Sequence, residues 1–290
     1  MKKLIGVKRR RKVREDSRAA FTRLNVNSRL LMKKPAGKKK GEKKPAVIRR
    51  LEPNLVIETN MTNTIIDIYH GNNIDLERCF EGGIVAIVHK ATQGATSCDS
   101  RYHERRERAR RLGFLWGAYH FSSGSSVSQQ VENFLTYARP ADDELIALDW
   151  EPSSDGPDMT LEQARHFVQM VREETGRWPV IYGGHLLRES VGHNPDPILA
   201  KCPLWYARYA NAPIGIPTEI WNTYTLWQYT DGDAGPEPHD TPGVSGADRN
   251  IFPGTIEQLK HKWPLTKREA GAGRGPGFDH ILKNLADEAA

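Results

Sequence analysis

Eight short apolar segments constrain the fold of this chain more than any other feature of the sequence. Each is bounded by polar residues, Gly or Pro, and each is short enough to be a β-strand buried in a sheet. Helical patterns separate the second to fifth segments, whereas Pro, Gly and Asn dominate the connections between the last ones. The segments are residues 64–69, 84–88, 114–121, 145–148, 179–182, 204–207, 225–229 and 247–252.

The helical patterns lie in the first half of this series. One helix is predicted to be capped by Asp99 and to run through Leu112, where Gly113 ends it. Two more are predicted to begin with capping boxes, Ser126 with Gln129 and Thr160 with Gln163. Apolar residues recur at helical spacing after both boxes, so each of these helices is expected to bury one face.

This order of elements predicts an α/β fold. We expect an irregular TIM-like β/α barrel with eight strands and few helices in its second half. The barrel is predicted to span residues 62–263 and to follow a basic, disordered extension, residues 1–58. Residues 264–290 are polar and are expected to form a frayed tail, with a short helix near residues 281–286.

Four acidic residues lie at or near predicted strand ends, and the catalytic groups of β/α barrels lie at the carboxyl ends of the strands. Asp67 lies near the end of the first segment, Asp149 and Glu151 follow the fourth, and Asp248 is near the last. In a strand, Asp149 and Glu151 would project the same way, about 6.6 Å apart, and would raise each other's pKa. A protonated carboxyl beside an ionised one is the requirement of glycoside cleavage. The plainer alternative is a strand end with solvated acids.

The charge of the chain is divided unevenly. Residues 1–54 hold 20 Lys and Arg residues and 4 acidic residues, a balance of +16, while the whole chain carries +6 and residues 55–290 therefore carry −10. A basic arm of this kind binds polyanions in a salt-sensitive way, so its partner is expected to be nucleic acid or an anionic envelope polymer. A solubilising tail or a wrongly assigned start site would explain the composition equally well.

Cysteine and histidine usage gives no support for a metal or a cofactor. The three cysteines lack C-x-x-C spacing, which argues against a disulfide framework and a zinc site, and they are expected to be small buried side chains. The histidines near strand ends lack helical ligand spacing and are expected to form hydrogen bonds or to contact sugar. These residues are Cys79, Cys98, Cys202, His70, His89 and His120.

Eight motifs in the predicted barrel occur in the order found in one enzyme family. They are Ile66–Ile68, His89–Gly94, Gly117–Phe121, Leu148–Glu151, Ile181–Tyr182, Leu204–Ala207, Leu226–Tyr229 and Ala247–Asn250. With these motifs, residues 62–263 resemble the glycoside hydrolase family 25 lysozymes, the Chalaropsis-type muramidases. Two positions depart from the family pattern. Tyr69, which is followed by His70, stands where a Ser is usual, and Gln93 stands where many members have Glu.

The resemblance implies an N-acetylmuramidase that cuts the β-1,4 bond between N-acetylmuramic acid and N-acetylglucosamine in peptidoglycan. Glu151 matches the general acid/base and Asp149 the carboxylate that orients the substrate acetamido group. Asp67 and Asp248 match the other two acids of the site. The family implies retention of configuration with help from the acetamido group and no cofactor, and a direct nucleophilic aspartate is the rival mechanism.

Substrate contacts are expected from five further residues, Tyr119, Tyr182, Lys90, Trp205 and Gln228. The two tyrosines lie nearest the strand tips, where an aromatic face can stack on a sugar ring. About half of the strand aromatics must instead pack in the barrel, because alternate positions face opposite ways. Lys90 is predicted to hold Asp67 ionised, since a nearby positive charge lowers the pKa of a carboxyl.

Two other functions stay open from the sequence. One is a barrel that binds cell-wall glycan without cutting it and is recruited by a polyanion-binding basic arm. The other is a nucleic-acid-binding protein, which only the charge of the arm supports.

The substrate implied by the resemblance lies outside the cytoplasm, yet residues 4–7 are too short for the apolar core of a signal peptide. Phage-type release or non-classical export would fit. No apolar run approaches the roughly 18 residues of a membrane span, and a monomer is expected.

Overall fold

A computed structural model gives the structure of residues 61–270 and of Gly275. The predicted basic extension, residues 1–58, lies outside the described residues. So does most of the predicted tail, including the helix expected near residues 281–286.

Nine strands form one sheet that closes on itself. The first strand pairs with the second and also with the last, and this closure makes a barrel with a wall of eight strands. The remaining strand, of two residues, pairs with the end of the second strand as a small hairpin. The strands are β1 (Thr62–Ile68), β2 (Ala86–Gln93), β3 (Ser97–Cys98), β4 (Leu115–Phe121), β5 (Leu145–Asp149), β6 (Val180–Gly183), β7 (Leu204–Ala207), β8 (Leu226–Thr230) and β9 (Asp248–Phe252).

The last strand runs against its neighbours, and this direction decides where Asp248 lies. Neighbouring wall strands from β1 and β2 through to β8 pair in parallel, but β9 is antiparallel to both β1 and β8. The beginning of β9 therefore lies at the barrel end where β1 finishes. Asp248, the first residue of β9, is the cross-strand partner of Asp67.

The helices are α1 (Leu76–Glu81), α2 (Tyr102–Leu112), α3 (Val127–Ala138), α4 (Leu161–Thr175), α5 (His185–Val191) and α6 (Ile256–Lys262), with a 3-10 helix at Leu199–Lys201. The prediction of few helices in the second half is confirmed, since α5, α6 and the 3-10 helix have seven residues or fewer. None of the described helices combines the length and the apolar character that crossing a membrane requires.

The predicted helix starts have mixed outcomes. Thr160 and Gln163 form the capping box that starts α4. Ser126 does occupy the N-cap of α3, but its side chain makes no capping hydrogen bond and the predicted box with Gln129 is wrong. The second helix has Arg101 at its N-cap, two residues after the predicted Asp99 cap, and the Asp99 carboxylate accepts from the Arg101 backbone N–H in the turn before the helix.

Apolar side chains form one layer inside the barrel and one between the strands and the helices. The alternation of strand side chains creates both layers, because every second residue faces inward. Ile65 of β1 is inside while Ile66 faces the helices, and Leu145 and Ile146 of β5 divide in the same way. Inside, the lower part of the barrel is filled by Ile65, Ala86, Val88, Leu145, Ala147, Val180, Leu226 and Phe252.

Two expectations about the periphery are corrected. The part of the predicted frayed tail that is described, residues 264–270, packs on the barrel. Its Glu269 carboxylate accepts hydrogen bonds from the Arg172 guanidinium and, at 2.7 Å, from the Trp178 indole. Among the cysteines, Cys79 and Cys202 are buried as predicted, but Cys98 is exposed because it lies in the β2–β3 hairpin.

Candidate active site

Polar side chains occupy the inward-facing positions at the carboxyl end of the barrel, directly above the apolar filling. In β5, Leu145 and Ala147 face inward, and the next inward position is Asp149. The same step of two residues leads from Ile65 to Asp67 in β1. The alternation that fills the barrel below thus also brings the site together above.

Asp67 and Asp248 form a hydrogen-bonded carboxyl pair across β1 and β9. Burial raises the pKa of Asp67 to about 6, although hydrogen bonds from Asn250 and Gln228 favour its ionised form. Burial and the charge of Asp67 raise the pKa of Asp248 to about 9. The pair therefore holds one proton at neutral pH, mostly on Asp248, and Asp67 carries the negative charge.

Gln228 connects this pair to two tyrosines. Its side-chain amide donates to both Asp67 oxygens, at 3.1 and 3.0 Å, and to Asp248 Oδ2 at 3.0 Å. Its carbonyl oxygen accepts from the hydroxyls of Tyr182 and Tyr209, at 2.7 and 2.9 Å. Carboxylates on one side and hydroxyl donors on the other fix the orientation of the amide, so Gln228, predicted to bind substrate, positions the charged groups around it.

Glu151 lies two residues beyond β5 and is a partly buried carboxyl. Burial, and then the charge of Asp67, raise the pKa of Glu151 to about 7. The Tyr182 hydroxyl lies 3.5 Å from Glu151 Oε1. Glu151 is therefore protonated over part of the range in which Asp67 is ionised, as an acid catalyst beside an anion must be.

Asp149 faces Lys90, and one of its oxygens has no protein donor. Burial and the charge of Glu151 raise the pKa of Asp149, while the charge of Lys90 lowers it. Within the described part of the chain, no hydrogen bond reaches the buried Oδ1 atom of Asp149. The prediction that Lys90 holds Asp67 ionised is not supported, because amides of Gln228 and Asn250 do so and the lysine acts on Asp149.

Aromatic hydroxyls complete the charged region. Burial and the surrounding carboxylates raise the pKa of Tyr119 and of Tyr182, which keeps both hydroxyls protonated. Among the carboxylates, Asp149 has the largest effect on the pKa of Tyr119. Sequence reasoning missed Tyr209, which is 40% exposed in the loop after β7 and donates to Gln228.

Trp205 lies below the site, where it supports another residue that sequence reasoning missed. Its side chain is 2% exposed, so the predicted contact with substrate does not agree with its position. The indole N–H donates to Asn250 Oδ1 at 2.6 Å, and Asn250 in turn donates to Asp67 Oδ2 at 2.8 Å. The signal for Asn250 was its place two residues after Asp248 in one strand, which puts both on the inner face.

His89 and His120, two of the histidines near strand ends, are held by hydrogen bonds. His89 lies between the Lys90 carbonyl, at 2.7 Å, and Arg105, while His120 lies between Thr92 and Gln130. Burial lowers the pKa of both His89 and His120 to about 4, so both rings are uncharged near pH 7. Over residues 61–270 and Gly275, no group of three or more His, Cys, Asp or Glu side chains has an arrangement that could hold a metal ion.

The arrangement supplies what cleavage of a glycosidic bond requires. One carboxyl, Glu151, is protonated near neutral pH, a second, Asp67, is ionised, and a third, Asp149, has an oxygen that accepts no hydrogen bond from the described residues. Hydroxyl and amide groups hold these carboxyls in place from several strands. Such a set can protonate a leaving oxygen and stabilise a cationic transition state.

Comparisons with known proteins agree with this chemistry. Residues 66–237, more than half of the chain, match the sequence profile described as glycosyl hydrolases family 25. An N,O-diacetylmuramidase of Arthroderma benhamiae is 28% identical over 200 residues, which cover 65% of this chain and 80% of that protein.

Solved structures show the same similarity. The family GH25 lysozyme of Aspergillus fumigatus has a TM-score of 0.59 and 27% identity, covering 70% of this chain and 98% of that one. A muramidase of Acremonium alcalophilum has a TM-score of 0.55 and 30% identity, covering 67% of this chain and 95% of that one.

Proposed function

Since the chain belongs to family 25 of the glycosyl hydrolases and is a peptidoglycan hydrolase of the lysozyme type, we propose that it cleaves the β-1,4 bond between N-acetylmuramic acid and N-acetylglucosamine with Glu151 as its acid/base. The observation that carries this proposal is the convergence of Glu151, Asp149, Asp67 and Asp248 at one end of the barrel. They come from β1, from β5 and the residues after it, and from β9, which are far apart in the sequence, and burial raises the pKa of each.

Glu151 acts first as the acid. Because its pKa is raised to about 7, it is protonated in mildly acidic solution and can give its proton to the leaving glycosidic oxygen. Asp67 is ionised above its pKa of about 6, and its charge opposes the positive charge that develops on the sugar ring. The window between these two values is where both groups have the required state, so the activity optimum is expected there.

Asp149 is proposed to bind the substrate acetamido group. Its Oδ1 atom has no hydrogen-bond donor among residues 61–270, so the carboxylate keeps the capacity to accept from an acetamido N–H. Holding that group would turn its carbonyl oxygen toward the anomeric carbon, which supports cleavage with retention by neighbouring-group attack. Direct attack by an aspartate remains the alternative, and trapping of a glycosyl-enzyme by mass spectrometry would favour it.

Digestion of purified peptidoglycan by wild type and by Glu151→Gln tests the assignment. The wild type is expected to release fragments with muramic acid at the new reducing end, read by mass spectrometry. The Glu151→Gln variant should fold normally and lose activity by at least about a hundredfold, as removal of a general acid does. Glu132→Gln, at an exposed helix position, is the matched control and should retain activity.

The result also separates the enzyme from a glycan-binding barrel. A wild type that binds peptidoglycan without releasing new ends would support the binding module and contradict the proposal. Glucosamine at the new ends would indicate a different class of hydrolase.

For the basic arm, residues 1–54, we propose binding to an anionic polymer of the envelope. The support is its charge of +16, from 20 basic and 4 acidic residues. Affinity of the full chain for teichoic acid and for duplex DNA, titrated with salt, tests this, and replacement of Lys38, Lys39 and Lys40 by Gln should weaken it. Action is on the cell wall, and phage-type release or non-classical export is proposed as the route.

A further inference from the structure

We propose that Tyr69, with the polar groove beside it, forms an additional subsite for a neutral sugar of the glycan strand, outside the catalytic centre. The inference rests on the proposed glycan substrate and extends it to a surface that departs from the family pattern. Tyr69 directly follows β1, the strand that carries Asp67, and its side chain is 45% exposed.

The backbone around Tyr69 is held firmly. The Tyr69 N–H donates to Asn72 Oδ1 at 2.9 Å, and its carbonyl accepts from the Arg105 guanidinium at 2.9 Å. Arg105 also donates to the Asn72 carbonyl at 2.6 Å. An exposed ring on a backbone fixed in this way loses little conformational entropy when a ligand covers it.

The Tyr69 ring itself is also placed by its neighbours. It folds over Gly71, where a Cβ atom would lie 2.5 Å from the ring carbon Cζ. The His70 ring meets it edge to face, with 5.1 Å between the ring centroids. His70 is in turn fixed by the buried Asp99 carboxylate, which accepts from the His70 backbone N–H at 2.8 Å and contacts the ring nitrogen Nδ1 at 3.0 Å.

A polar groove of about 720 Å³ begins at His70 and Gly71, the two residues that the Tyr69 ring contacts. Residues 70–77 line one side, and Arg101, Glu104, Arg105 and Arg108 line the other. Its charges are compensated within the protein. Arg101 pairs with Glu104 and Arg108 with Glu77, while Arg105 binds the backbone carbonyls of the turn. A groove without excess charge favours a neutral polar ligand over an anion.

The turn and the groove lie at the same end of the barrel as the carboxylates. Asn72 Nδ2 donates to the Gly246 carbonyl, two residues before Asp248, so the turn lies against the start of β9. From the other side, burial lowers the pKa of Lys90, and the charges of Asp149 and of Asp99, the partner of His70, both act to raise it, which links the groove end of the barrel to the carboxylates. A polymer bound at the carboxylates can therefore reach Tyr69 by continuing over the rim.

A glycan sugar fits this surface better than the other partners of an exposed aromatic ring. One face of a pyranose is made of C–H groups and stacks on a tyrosine ring, while its hydroxyl and acetamido groups point to polar surroundings. The rim offers that combination, a rigid ring beside a charge-balanced polar groove. An apolar protein partner would instead require a larger apolar patch around Tyr69.

The test compares long and short substrates. Initial rates are measured on peptide-free glycan strands and on a tetrasaccharide of the same repeat, with Tyr69→Ala, Tyr69→Phe and Gly71→Ala. On the long strands, Tyr69→Ala should raise KM about three- to tenfold with little change in kcat, while Tyr69→Phe keeps the ring and behaves as wild type. Gly71→Ala, which must displace the ring, should act in the same direction. Phe80→Ala, which removes a 48% exposed ring on α1, is the control and should change neither constant.

The deciding quantity is kcat/KM on long strands divided by kcat/KM on the tetrasaccharide. A ratio that falls in Tyr69→Ala and Gly71→Ala but not in Tyr69→Phe supports the subsite. An equal loss on both substrates, or an unchanged KM on long strands, overturns it. Failure of the wild type to cut any strand would instead reject the proposed function. Affinity for long strands in a Glu151→Gln background, with and without Tyr69→Ala, then still reports on the subsite.

Discussion

At the scale of single residues, Gln228 sets the protonation of the site without being a group that must react. Its amide lowers the pKa of Asp67, since it donates to both carboxylate oxygens at 3.1 and 3.0 Å. In Gln228→Leu the ionised form of Asp67 loses these donors and its pKa rises. We expect kcat/KM to fall at least about tenfold below neutral pH and the acidic limb of the profile to move to higher pH.

The pH profile separates this role from a merely structural one. A variant that only loosened the fold would lose activity by the same factor at every pH. If the profile of Gln228→Leu kept its shape, the positioning role of Gln228 would be rejected.

Lys90 gives a second prediction at this scale. Its charge lowers the pKa of Asp149, so Lys90→Met should raise that pKa further and reduce the ionised fraction of Asp149 at any given pH. Activity that depends on this anion should therefore recover only at higher pH, with an acidic limb displaced by up to about one pH unit. Lys90→Arg keeps the charge and is the control, and a profile of Lys90→Met that overlays the wild type would contradict the effect.

Sequence reasoning brought Asp67, Asp149 and Glu151 together because each stands near the carboxyl end of a predicted strand, and barrel geometry gathers such ends. It included Asp248 because of its place near the last strand and the family resemblance, since this residue begins a strand whose reversed direction was not predicted. It missed Tyr209 because a loop residue has no strand period to indicate its direction. It assigned Trp205 to the substrate because an aromatic residue in a strand can either line the site or fill the barrel. Its position below the carboxylates depends on the register of β7, which pairs Trp205 with Tyr182 and Leu226.

At the scale of elements, the two predicted capping boxes give a matched pair of variants. The Thr160 hydroxyl accepts from the Gln163 backbone N–H at 3.2 Å, whereas Ser126 makes no capping bond at the start of α3. Thr160→Ala should lower the free energy of unfolding by about 1 kcal/mol, and Ser126→Ala by much less. Urea unfolding of both variants checks this, and equal losses would contradict the difference between the caps.

The long elements were predictable and the short ones were not. The third and fourth helices have twelve and fifteen residues, enough for the apolar period to repeat. By contrast, α1, α5 and α6 have six or seven, less than two turns, and their apolar residues are too few to define a face. The direction of β9 could not be predicted from the sequence pattern either, because side chains alternate in the same way in parallel and antiparallel strands.

At the scale of the whole molecule, the site makes stability depend on pH. Burial raises the pKa of Asp67 to about 6, of Glu151 to about 7 and of Asp248 to about 9. The folded chain then binds more protons than the unfolded chain between about pH 4 and pH 9. The contribution of these groups is fully present below the unfolded pKa values and is lost as pH rises, so they make the fold less stable in alkali.

Asp248→Asn should reverse part of this loss. An amide at this position can donate to Asp67 and accept from Gln228, as the protonated carboxyl does, but it cannot ionise. We expect a gain of roughly 1–2 kcal/mol in unfolding free energy at pH 8, little change at pH 4, and loss of activity. Thermal unfolding across pH measures this, with Glu132→Gln as the exposed control, and a gain of equal size at both pH values would contradict it.

The reversed last strand also has a consequence for when the enzyme becomes active during synthesis. Asp67 is among the first residues of the barrel, yet its partners Asp248 and Asn250 come from the strand that closes it, and Asn250 is 183 positions later in the chain. A growing polypeptide that has left the ribosome only as far as β8 has no acid pair and an open wall. Hydrolytic power should therefore appear in one step, when β9 joins the sheet and brings Asp248 and Asn250 to Asp67.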